Sequence, residues 1–186
     1  LSQAIVTEGS SQVPALVGSL NASAGIANRI SLAGNLDISG PVNLKTATPL
    51  ALAGGTQIRS TAQKGEGITV IGGIADTAGK NLTLDAGDGT LIVDSISLTG
   101  GSSALTIPSL GGSSSIGSLK SGPVSVQNGT GSLNLGAPET ISLSITAGSL
   151  GVTVNSVAKV GAISAYNTGT TLIGSPTTTL TMPSGS

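Results

Sequence analysis

A short apolar alternation returns along almost the whole chain and constrains its fold more than any other feature. Aliphatic pairs spaced i, i+2 occur at Leu36 and Ile38, Val42 and Leu44, Leu50 and Leu52, Ile68 and Val70, and Leu82 and Leu84. They continue at Leu91 and Val93, Ile96 and Leu98, Leu105 and Ile107, Val124 and Val126, and Leu133 and Leu135. Two longer runs follow, Ile141-x-Leu143-x-Ile145 and Leu150-x-Val152-x-Val154, and Leu180 with Met182 closes the series. A period of two sends successive side chains to opposite faces, so each segment is expected as a strand with one buried face. Only Ala15 to Ile30 leaves room for a short helix.

Turn formers separate these segments: Gly54-Gly55, Gly72-Gly73, Gly87-Asp88-Gly89, Gly100-Gly101, Gly111-Gly112 and Asn128-Gly129. Glycine reaches positive φ without a Cβ clash, so the clusters mark corners. In the second half strands begin at Ile96, Leu105, Ile116, Val124, Leu133, Ile141 and Leu150. Strands so short and so evenly spaced fold either as a β-sandwich or as a β-solenoid.

Composition separates the two. Hydrophobic residues make up 38% of the chain, yet Phe, Trp, Cys and His are absent and Tyr166 is the one aromatic residue. A sandwich of 186 residues normally builds its core on a few large rings. Leu, Ile and Val with small spacers instead stack on themselves from coil to coil, and the compact corners leave little room for long crossovers. The all-β reading is therefore a β-solenoid, with a β-sandwich as the alternative. Three faces per coil give coils of roughly 25 residues, about seven in all. The expected division is an N-terminal edge or assembly segment over 1–29, a solenoid body over 30–159 and a C-terminal strand or junction segment over 160–186.

The stretch from Gly79 to Thr90, GKNLTLDAGDGT, resembles the sLtLnAgtGt coil of filamentous-haemagglutinin-like β-strand-repeat proteins. Its continuation Leu91-Ile92-Val93-Asp94-Ser95-Ile96 resembles the strand that follows in those repeats. Gly34 to Gly40 and Gly131 to Leu135 are shorter matches, so the likeness spans roughly residues 30 to 155. The Phe those repeats often carry is missing. The resemblance implies a bacterial secreted protein, a right-handed parallel β-helix and a role in adhesion or surface structure.

Chemistry is sparse. No zinc or copper site of the usual kind, cysteine nucleophile or Ser-His-Asp triad can form without His or Cys. Ser118 and Ser121 flank Lys120, but serines are so common that the pairing carries no weight. No Walker loop or strand-GxGxxG-helix unit occurs. Asp85, Asp88 and Asp94 form the one close group of carboxylates, weak candidates for calcium, which takes several oxygen ligands. The favoured role for Asp85 and Asp88 is to shape the corner by side-chain to backbone hydrogen bonds. No metal or other cofactor is therefore expected, and no enzymatic activity. The Thr177 to Thr181 cluster reads as strand propensity rather than an ice-binding face. The sequons at Asn21, Asn81 and Asn128 arise readily by chance in so Ser/Thr-rich a chain.

Seven basic and eight acidic residues give a net charge of −1 with no run of either sign. Nucleic-acid binding needs a basic patch to displace counterions, so that class is excluded. A charge near zero favours self-association. No apolar stretch reaches the 18 or so residues of a membrane span. A first residue Leu1 rather than Met suggests a mature secreted form or a fragment, and an extracellular or cell-surface location.

A solenoid presents unpaired backbone groups at both ends. Val160 to Ser186 carries no charge, and Leu1 to Leu20 is apolar and irregular, so neither end reads as a cap. The expected function is a self-assembling extracellular fibre or sheath subunit polymerising end to end, with copies of itself as partner. Ile5, Val6, Val13 and Val17 would meet Leu172, Ile173, Leu180 and Met182 at each junction. The alternative is a β-helical segment of a larger adhesin or exoprotein that touches a host or neighbouring cell.

Overall fold

In a computed structural model, residues 19–24, 30–62, 66–100, 103–155, 158–167, 169, 171–173 and 180–181 are described. Alternation of inward aliphatics with outward polar residues produces strands throughout. They are β1 (Leu20–Ala24), β2 (Ser31–Ile38), β3 (Val42–Thr46), β4 (Leu50–Ser60), β5 (Ile68–Ile71) and β6 (Ile74–Asp76). Next come β7 (Leu82–Asp85), β8 (Leu91–Leu98), β9 (Leu105–Leu110), β10 (Ser113–Gly129), β11 (Ser132–Gly136) and β12 (Pro138–Gly148). The series ends with β13 (Gly151–Asn155), β14 (Ala158–Val160), β15 (Ile163–Asn167), β16 (Thr171–Ile173) and β17 (Leu180–Thr181). No helix occurs among the described residues. The possible helix between Ala15 and Ile30 is corrected by β1, which occupies part of that span.

Every strand pairing is parallel, and each joins a strand to its counterpart one coil further along. The chain is a β-solenoid. One inward column runs Leu44, Val70, Val93, Ile116, Leu135 and Val154. A second runs Leu82, Leu105, Val124 and Leu143. All of these side chains are buried in one continuous core. Burial of an aliphatic side chain contributes about 1.5–3 kcal/mol, so a narrow interior without aromatic rings can still hold the coils together. In-register stacking is not confined to 30–159, since β1 pairs with β3 and β13 with β16.

Coil length is uneven. One coil carries the chain from Val42 to its partner Ile68, whereas a later and distinctly shorter one carries it from Leu133 to Val152. The coil of roughly 25 residues expected from the sequence therefore suits the middle of the first half, and the coils of the second half from β10 onward are shorter. Interior polarity is also uneven. Ser114 is buried where neighbouring coils place Leu91 and Leu133, and its hydroxyl accepts from the Leu91 amide and donates to the Gly111 carbonyl. Asp76 is buried between Leu52 and Leu98, where its carboxylate accepts from the Ala78 and Lys80 amides. Both solve the same problem: a backbone donor left over where the ladder breaks at a corner needs an acceptor.

Candidate functional site

The three aspartates singled out as weak calcium candidates take separate positions. Asp85 ends β7 and accepts from the Gly87 amide and the Ser109 hydroxyl, the latter one coil along. Its second oxygen lies 3.5 Å from Arg59 Nε, and Arg59 Nη1 is 3.6 Å from Asp37 on the preceding coil. Asp37, Arg59 and Asp85 thus form an outward charge ladder in register. Asp88 is exposed in the turn closed by the Gly89 amide on the Ala86 carbonyl. Asp94 turns to another corner and accepts from the Gly72 amide. Among the described residues no three acidic, histidine or cysteine side chains gather as a metal site would require.

This geometry makes Asp85 a coil clamp. Asp85→Ala should cost about 1–3 kcal/mol, the range for leaving its donors unsatisfied. Thermal melts should show the same loss with and without a calcium chelator. A chelator that lowers the melting temperature of the unaltered protein alone would contradict the clamp.

Ser121 is buried and donates to the Ser103 carbonyl, while Lys120 lies 3.2 Å from Glu139. Neither is poised against the other for nucleophilic chemistry. The sequon asparagines serve the stack: Asn21 accepts from Asn43, Asn81 accepts from the Ala104 amide and Asn128 donates to the Pro108 carbonyl. Tyr166 projects from β15 and is 75% exposed.

Of the expected junction residues, Leu172 and Ile173 lie in β16 and Leu180 in β17. Ile5, Val6, Val13, Val17 and Met182 lie outside the described residues. β16 pairs with β13 and β17 with β14, in each case the coil before; β1 pairs with β3, the coil after. Among the described residues the outer edges of these end strands carry no further pairing.

One concavity was not foreseen. A groove of about 590 Å³ follows a corner across four coils, with Lys120, Glu139 and Lys159 along one side and Gly122, Ile141 and Gly161 along the other. Ile141 belongs to an apolar alternation, yet it is 61% exposed because Thr140 takes the inward place and bonds the Gly122 carbonyl. The chain turns at that point, so the phase of the alternation slips by one residue. Such a slip moves a side chain from core to solvent. No family model, no curated protein and no solved structure matches this chain.

Proposed function

We propose that this chain is a structural, self-assembling extracellular fibre or sheath subunit that grows end to end. The reading rests on one observation: the coils pair in parallel up to the outermost described strands, with register shifts within β2–β4 and β12–β15, and the outer edges of β1, β16 and β17 are unpaired among those residues. A parallel edge is a template for another strand, and a head-to-tail contact that does not close grows into a filament. The last coil of one copy would meet the first coil of the next. Each aliphatic side chain buried there would contribute about 1.5–3 kcal/mol.

A second reading has its own support. The step from one coil to the next is nearly constant from β10 through β15, so neighbouring coils could equally come from the same chain. The protein would then be a segment of a longer adhesin, displayed toward a host or neighbouring cell.

Electron microscopy and sedimentation of the purified chain test the first reading. Filaments one solenoid wide or wider are expected, and Leu180→Lys combined with Met182→Lys should leave folded particles that no longer lengthen end to end. If the unaltered chain stays monomeric at high concentration, the fibre reading fails. The intact mass of the protein from its natural source then decides for the segment.

A further inference from the structure

The groove beside Ile141 has a shape and a charge pattern that complement themselves. Ile141 stands alone along its corner. Gly122 lies level with it on the preceding coil, between Ser121 and Pro123, which pair with Thr140 and Ser142. Gly161 lies level with it on the following coil, where even a Cβ would fall 2.4 Å from the Ile141 carbonyl oxygen. One large exposed aliphatic residue is therefore flanked by two positions without side chains, a knob with a gap on either side. Two residues away the same coils carry Lys120, Glu139 and Lys159 in register, a row of plus, minus and plus. Glu139 pairs with Lys120, and Lys159 makes no ion pair among the described residues.

We propose that this corner docks a second copy of the same chain, the two solenoids lying antiparallel about a twofold axis midway between the Glu139 and Lys159 levels. That axis places Ile141 of each copy over Gly161 of the other. It also sets Glu139 of each copy beside Lys159 of the other, so the unmatched lysine gains a carboxylate twice over. Knob and charge row are satisfied by one operation, as a self-complementary contact requires. A shift by one coil would set Lys159 against Lys159, and like charges brought together are strongly disfavoured. The contact is lateral and stands independently of end-to-end growth. In micrographs lateral pairing sets particle width and axial growth sets length.

The test uses the full chain at low salt, where exposed charges are least screened. Paired particles two solenoids wide are expected, together with a sedimentation coefficient that falls as salt rises. Ile141→Asp should abolish pairing while leaving the fold intact, because the residue is already mostly exposed. Lys159→Glu should weaken pairing by roughly ten- to a hundredfold, since it turns two cross-interface attractions into repulsions. The double exchange Glu139→Lys with Lys159→Glu should restore it. Particles one solenoid wide would overturn the proposal, as would pairing indifferent to Ile141→Asp and Lys159→Glu. Retention of an acidic polysaccharide through Lys159, without any pairing, would overturn it as well.

Discussion

Replacing Leu105 with alanine should lower the unfolding free energy by about 2–5 kcal/mol, the range for removing a large aliphatic side chain from a packed interior. Leu105 has 0% exposure and stacks between Leu82 on one coil and Val124 on the other. Both neighbours are held by their own ladders, so neither can move in to fill the space. A solenoid contacts only its adjacent coils, and a defect in the middle weakens the interfaces on either side of it. Thr106→Ala, one residue along and facing outward, should change stability by less than about 0.5 kcal/mol. Chemical denaturation of both variants measures the contrast. Equal effects at the two positions would mean that the interior column does not carry the fold.

The second large effect concerns a corner. Gly131 has a φ of +90°, and a Cβ there would fall 2.1 Å from the Gly112 carbonyl oxygen. That oxygen also accepts from the Ser132 amide at 2.8 Å, a bond that joins the two coils. Gly131→Ala would therefore impose both an unfavourable backbone conformation and a steric clash. The conformation alone costs about 1–3 kcal/mol. Displacing the carbonyl adds the loss of the Ser132 bond, worth about 0.5–1.5 kcal/mol. Gly54 provides the contrast, since nothing lies within 4 Å of a Cβ built on it. Gly54→Ala should be neutral or stabilise by up to about 1 kcal/mol through the unfolded chain. Melting temperatures of the two variants should move apart, and a common loss would place the constraint elsewhere.

The strands were legible wherever two aliphatic residues alternate. Val42 with Leu44, Ile68 with Val70, Leu82 with Leu84 and Leu133 with Leu135 are all buried pairs within strands. Strands whose inward places hold polar groups were harder to read. The second half of β4 carries Thr56, Ile58 and Ser60 inward, so a lone isoleucine was its one apolar mark. β6 places Asp76 inward, which alternation alone assigns to solvent. Corners within a strand were hidden for a related reason. β10 runs 17 residues past two changes of phase, and Ile116 and Val124 read as separate strands. The candidate docking corner was invisible because Ile141 has the spacing of a core residue, and only the turn at Thr140 reverses it. The link from Asp85 to Arg59 crosses from one coil to the next, so it depends on register rather than on nearness in sequence.

The unequal coils have a consequence for how such a chain can change over generations. The long step from Val42 to Ile68 and the short one from Leu133 to Val152 both return the next strand to the same phase, because the difference is taken up at the corners. Phase is inherited at the inward columns while length is free to drift between them. Residues gained or lost at a corner leave the interior untouched, whereas a single residue gained inside a short strand turns its inward faces outward. The architecture therefore tolerates insertion in a punctuated way, permissive at the bends and intolerant along the faces.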